Sequence, residues 1–391
     1  MKFFSLKLIA LLSAAIMVAS APSISANIPA IAADFPSVSP VYVSLLTTIP
    51  SLFLIFGVFS TNLFERFLGR KYTIITGLTM VGIFGTLPAW YQGSFFMLFL
   101  SRCLLGIGIG LFNRLIIQMI SSLYQDSSQK RARALGLESA CEGLGGVVLT
   151  IGVGQLLKIN WTYSFLVYCM AFLGAILIMF FIPKDKLDGI KNNREKKDRI
   201  VIAKNRKIKM YLMGLFLFCI VVLFINYNLQ ITPLLIEQGL GSATEGSNMI
   251  ASLGAGAFLA GNLFGKNLQL LGEKLLPIAT YFAGIFIFLS LYSHSATMTL
   301  FCSLGLGFSF RNIMPYFMHS FTSGGEKLAE VGTTIVLVAY NLGATLSPYI
   351  SEGITLISQN SSATHQLFIT GILYSVLGCI ALIFNKKMSF N

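Results

Sequence analysis

The chain has 391 residues and a formal charge of +13, yet only 11% of its residues are charged and 55% are hydrophobic, with a mean hydropathy of +0.77. Soluble domains carry about 25% charged residues, so this composition excludes an ordinary soluble domain. The positive charge does not mark a nucleic-acid binder either, because the basic residues lie mostly between apolar stretches.

Those stretches are roughly 20 residues long, the length that crosses a bilayer as a helix. Lipid cannot hydrogen-bond a backbone, so each must satisfy its own amides as a helix. In chain order the expected spans are 5–27, 41–63, 72–91, 95–119, 135–157, 162–182, 210–232, 246–264, 275–293, 297–319, 331–353 and 366–385. The expectation is an all-α polytopic membrane protein with 12 transmembrane helices in two pseudo-symmetric six-helix bundles. Lys2, Lys7 and the end Ser23-Ile24-Ser25-Ala26 give the first span the look of a signal peptide. It is read as a span, because removing it leaves an odd number and breaks the charge pattern. The segment 183–209 holds 11 Lys and Arg against 4 Asp and Glu, and reads as a solvated linker attracted to anionic lipid. It separates an N-terminal bundle, 1–182, from a C-terminal bundle, 210–391. With both termini in the cytoplasm, 24 of the 28 Lys and Arg fall on that side, as the positive-inside bias requires.

The two halves share letters at a nearly constant offset. Asn62-Leu63-Phe64 matches Asn262-Leu263-Phe264, and Leu105-Gly106-Ile107-Gly108 matches Leu304-Gly305-Leu306-Gly307. Gly145 with Thr150 matches Gly343 with Pro348. Two repeated halves joined by a basic linker form the layout of a secondary transporter, with its substrate near midplane. No Gly-x-x-x-x-Gly-Lys-Ser/Thr loop occurs, so ATP hydrolysis by this chain is not expected, and the chain is not read as an enzyme. The six cysteines lie in apolar spans and the three histidines are isolated, so no disulfide, metal or cofactor is expected.

At these residues the chain resembles the major facilitator superfamily over its full length. The junction between spans 2 and 3, Thr61-Asn62-Leu63-Phe64-Glu65-Arg66-Phe67-Leu68-Gly69-Arg70-Lys71, is similar to that family's acidic-basic-glycine loop. Thr61 stands where the family has glycine, and one extra residue precedes Gly69. The resemblance implies that Glu65, Arg66, Gly69, Arg70 and Lys71 gate the transporter; the alternative is that the basic residues only fix topology. Arg102-Cys103-Leu104-Leu105-Gly106-Ile107-Gly108 resembles the family's Arg-x-x-x-Gly-x-Gly signature in span 4. An arginine inside a span costs about 2.5–3.5 kcal/mol on insertion scales, so Arg102 is expected to face protein or water and to have a partner.

Span 5 carries Glu138 and Glu142 one turn apart, followed by Gly145 and Gly154. The family's exporters resemble this glycine pattern, although here Leu149-Thr150 replaces their Gly-Pro. Glu138 is expected to pair with Arg114 or with the loop. Glu142 is expected to pair with Arg102 and to take up and release protons, since burial and a nearby cation push a carboxyl in opposite directions; a static ion pair is the alternative. Arg311 and Asn312 in span 10, Asn226, Asn228 and Gln230 in span 7, and Asn341 in span 11 are candidate cavity residues, or else polar glue between helices. Gly106, Gly108, Gly145, Gly154 and Pro348 are candidates for helix packing and kinking.

The resemblance implies a monomeric, proton-coupled secondary transporter in a bacterial inner membrane, exporting lipophilic small molecules or drugs. Its partners would be substrate, protons and membrane lipids, with no nucleic acid. Two other readings stay open: a carrier of a specific polar or anionic metabolite, and a non-transporting membrane receptor or scaffold.

Overall fold

A computed structural model describes residues 5–91, 93–124, 127–183, 204–323 and 326–388. Most of the 183–209 linker lies outside the described residues. Contacts divide the chain into two compact units, Met1–Lys191 and Asn192–Asn391. Among the described residues every regular element is helical.

The first unit opens with a broken span. Helix α1 covers Leu6–Ala15, a 3₁₀ segment covers Ala21–Asn27, and α2 covers Ile28–Asp34. The sequence suggested one helix ending at 27. Pro22 and Pro29 lack backbone N–H groups and break the α ladder, so the span changes form and continues to Asp34. The Ser25 hydroxyl binds the Pro22 carbonyl at 2.7 Å and steadies the tighter turn.

Helix α3 runs Pro40–Trp90, 51 residues. At ~1.5 Å per residue it is more than twice as long as the ~30 Å hydrocarbon layer is thick. It divides at Gly69, whose φ of 78° and ψ of 166° leave the helical region. The loop expected between spans 2 and 3 is therefore one glycine with helix on either side. Next come α4, Phe95–Leu123, and α5, Ser128–Leu157. A 3₁₀ segment, Tyr163–Cys169, then leads into α6, Met170–Phe181.

The second unit holds α7, Lys204–Glu237; α8, Ala243–Leu271; α9, Leu275–Leu291; α10, Ala296–Ser323; α11, Glu326–Ser358; and α12, Ala363–Met388. Ser242 and Glu245 form a reciprocal cap that starts α8. Gly272, at φ 51°, turns the chain from α8 into α9. Among the described residues, eight segments are long and apolar enough to cross a membrane by length and composition. Dividing the two long ones, Pro40–Trp90 and Ala243–Leu291, and adding the broken first span and α10 gives the twelve spans expected, six per unit.

Glycines set the closest helix approaches. A Cβ on Gly77 would come within 2.6 Å of the Gly108 carbonyl, and one on Gly108 within 2.8 Å of the Gly77 carbonyl. On the other side of the Gly69 break, Gly57 meets Gly110 and Gly106 abuts Pro50 in a second crossing with α4. The second unit repeats this crossing: Gly256 and Gly307 bring α8 and α10 together against the Leu304 and Leu253 carbonyls. In lipid, where apolar contact gains little over lipid tails, such backbone approach is a main source of helix association.

Candidate functional site

The Gly69 break brings charged groups of one helix together. Arg70 Nε donates to Glu65 Oε1 at 2.7 Å across it. The Thr73 hydroxyl donates to the Gly69 carbonyl at 2.8 Å. Lys71 Nζ reaches α6 and donates to the Met179 carbonyl at 2.7 Å. Met179 lies in the last turn of α6, where carbonyls lack helical partners and a cation is favoured. Glu65 is buried, whereas Arg66 is exposed. This junction thus ties the α3 break to the end of α6.

Among the described residues Arg102 is the largest fully buried side chain, at 0% exposure. Its Nη2 donates to the Phe84 and Gly85 carbonyls of α3 at 3.2 and 3.1 Å. Pro88 has no N–H to offer the carbonyl four residues earlier, so the Phe84 oxygen is left open for Arg102. The guanidinium also lies 4.9 Å from the Phe165 ring centre and 5.0 Å from that of Tyr168, within cation–π range. Glu142 is not among its contacts, so the expected Arg102–Glu142 pair is absent here. Backbone carbonyls and ring faces take the carboxylate's place, and neither class of partner leaves a motif in a sequence. Pro88, four residues past an exposed carbonyl, was the one available signal.

On α5, Glu138 is buried and Glu142 half-buried, one turn apart as expected. Gly145 lets α5 close onto the chain just after α1, where a Cβ would meet Ile16 Cα at 2.6 Å. Gly154 is buried further along. Arg114 is exposed on α4 and binds the Gln118 side-chain oxygen one turn on, at 2.9 and 3.2 Å with the amide in its satisfied orientation. Arg114 thus makes a local contact on its own helix, and the expectation that Glu138 pairs with Arg114 or with the loop keeps only its second form.

In the second unit, the polar residues of α7 bond to α10, α11 and α12. Asn226 Nδ2 donates to Thr370 Oγ1 at 2.8 Å, and Gln230 Nε2 to Ser351 Oγ at 3.2 Å. The Tyr227 and Ser303 hydroxyls meet at 2.9 Å. Asn228 is buried. Asn312 is buried, accepts from Asn267 at 3.0 Å and donates to the Phe308 carbonyl at 2.9 Å. Asn341 donates to the Leu337 carbonyl at 2.9 Å. Arg311 is half-buried and Pro348 is buried within α11. Asn226, Gln230 and Asn312 thus join helices within the unit.

Sequence reasoning missed a set of bonds that both units share. Asn27 of the first span donates to Ser164, and Asn226 of the seventh donates to Thr370. One turn beyond each hydroxyl stands a fully buried tyrosine. The Tyr168 hydroxyl donates to the Ser20 carbonyl at 2.9 Å, and that of Tyr374 to the Ile220 carbonyl at 3.0 Å. A carboxylate then closes one end of each pair of spans. Asp34 Oδ2 accepts from Trp161 Nε1 at 2.5 Å, while Glu237 accepts from the Ala363 and Thr364 backbone amides at 2.7 and 3.2 Å. The first and sixth spans of each unit are thus bolted together by the same three devices.

Two six-span helical units with matching internal bonds define a polytopic membrane carrier fold. The sequence profile of the Major Facilitator Superfamily matches residues 8–348, and the chain belongs to that family of transporters. It is 26% identical over 360 residues to the multidrug efflux protein YfmO of Bacillus subtilis (strain 168), covering 89% of this chain and 85% of that one. Among solved structures, a peptide transporter POT in complex with sulfate superposes with a TM-score of 0.77 at 13% identity, covering 98% of this chain and 95% of the other. A D-xylose-proton symporter gives 0.75 at 17% identity, covering 99% and 98%. At such identities these structures speak for the fold alone.

Proposed function

We propose that this transporter is a proton-coupled exporter of lipophilic small molecules, drugs among them, and that it works by alternating access. It would act as a monomer in a bacterial plasma membrane, with both termini and the basic linker in the cytoplasm. The domains would be 1–182 and 210–391, rocking about a midplane substrate site. The observation that carries the export reading is the similarity to a multidrug efflux protein along most of both chains.

Coupling is assigned to the carboxyls of α5. Glu142 is half-buried in a helix that glycine brings against the first span. A carboxyl that trades protein contacts for water between two states of a carrier can trade a proton between them as well. One proton moving down 100 mV supplies about 2.3 kcal/mol, roughly a fifty-fold concentration ratio. Arg102 takes no part as a direct partner of that acid. Its role is to hold α4 against α3 beside the rings of the sixth span. The Gly69 junction, with Glu65, Arg66, Arg70 and Lys71, is assigned to gating.

The test is substrate accumulation driven by an imposed proton gradient in Glu142→Gln and Glu138→Gln. Loss of gradient-driven accumulation in Glu142→Gln, with downhill exchange kept, is the expected result. Unchanged accumulation removes Glu142 from the coupling step.

A second reading, transport of a polar or anionic metabolite, draws on Arg311, a half-buried cation within the apolar helix α10. Saturable binding of one anionic solute, lost in Arg311→Ala, would favour it.

A further inference from the structure

We propose that Arg102 and the interrupted part of the first span form a closed binding site for a small monovalent anion of halide size within the N-terminal unit. The inference stands apart from the export reading, because it concerns the charge balance inside one bundle.

The first observation is an uncompensated charge. Arginine keeps its proton in proteins, so Arg102 carries a full positive charge at 0% exposure. Its Nη2 is met by two neutral carbonyls, and its Nε points at the Ser101 hydroxyl at a long 3.5 Å. Nη1 is buried and meets no acceptor among the described residues. Carbonyls and ring faces solvate a cation without neutralising it. A buried charge needs a counter-charge or a large compensating network.

The second observation lies on the facing chain. Ser20 and Ser23, at the start of the 3₁₀ segment, are 0% and 1% exposed, and neither hydroxyl has a partner among the described residues. Tyr168 joins the two features. Its ring lies against the guanidinium, and its hydroxyl is fixed to the Ser20 carbonyl. The Ser20 carbonyl also accepts from the Ser23 backbone N–H at 3.2 Å, so both serines stand at the hydroxyl end of the tyrosine whose ring faces the guanidinium.

The chemistry selects the ligand. Hydroxyls and a guanidinium N–H all donate to an anion, and one net charge matches one arginine. Arg102, Phe165, Tyr168, Ser20 and Ser23 are all at most 1% exposed, so the surroundings favour a small ion of single charge over a bulky or multiply charged one. Asn27 Oδ1 is a further buried acceptor without a partner. Its lone pairs repel an anion, which restricts the site to the Ser20–Ser23 end of the segment. The corresponding stretch of the second unit has no arginine: Tyr227 and Ser303 meet there as neutral groups. The anion site thus belongs to the N-terminal unit alone.

The experiment is thermal unfolding of the purified full-length chain in detergent, in chloride, bromide, sulfate and gluconate salts of one cation at equal ionic strength. Wild type is expected to gain a saturable rise in midpoint with chloride and bromide only. Arg102→Gln should lose that rise, and Ser20→Ala combined with Ser23→Ala should weaken the apparent affinity at least tenfold. Bromide should give an anomalous scattering peak beside Arg102. Equal midpoints for wild type in all four salts mean that water alone fills the site and overturn the proposal. So does a chloride response that survives in Arg102→Gln. If Arg102→Gln fails to fold, the wild-type titration and the serine variant still decide.

Discussion

Gly69 and Arg102 are the two residues whose roles depend most on backbone chemistry. At φ 78° and ψ 166°, Gly69 occupies a region that is essentially closed to residues with a Cβ. A Cβ there would meet nothing within 4 Å, so a substitution meets backbone strain and no clash. Gly69→Ala should therefore destabilise the fold by about 1–3 kcal/mol, and Gly69→Asn should do no better. Unfolding midpoints in detergent check this, and a neutral Gly69→Ala would show that the break relaxes freely. Both residues stood out in the sequence, because glycine beside charges and arginine in an apolar run are rare. Their partners did not stand out. Arg102 uses the carbonyl freed by Pro88 and two ring faces, and Arg114 uses Gln118 on its own helix, so pairings inferred from opposite charges missed both.

Among elements, the first and sixth spans of each unit carry the clearest evidence of repetition. An asparagine–hydroxyl bond, a tyrosine–carbonyl bond and a carboxylate clasp recur in both. The glycine matches between spans 4 and 10 were visible in the letters, because glycine is read directly. The three bolts were not, because Ser164 matches Thr370, Asp34 matches Glu237, and a tryptophan ring matches a helix N-terminus. Physical equivalence survived where identity did not. Tyr168→Phe and Tyr374→Phe should each destabilise by roughly 1 kcal/mol, since each removes one buried tyrosine–carbonyl hydrogen bond. The tyrosines lie in different units, so the double variant should lose close to the sum. Chemical unfolding of the three variants tests this, and a negligible loss in both single variants would show that the bonds are not formed. The broken first span was also unreadable in detail, because Pro22 and Pro29 signal an interruption but not the continuation to Asp34.

For the whole molecule, periodicity and length carried nearly everything about fold class. Apolar runs of bilayer length leave few alternatives to helices, and the basic segment marks the division into halves. Which acid moves the proton was less legible, because a carboxyl's behaviour depends on its neighbours in three dimensions. The central claim is export driven by protons, and flux in everted membrane vesicles tests it most directly. The measurement is uptake of a lipophilic cationic dye under an acid-inside pH gradient. The account predicts accumulation in the lumen that collapses with an uncoupler and is absent in Glu142→Gln. Uptake indifferent to the gradient, or no uptake of any lipophilic compound beside strong transport of a polar solute, would contradict it.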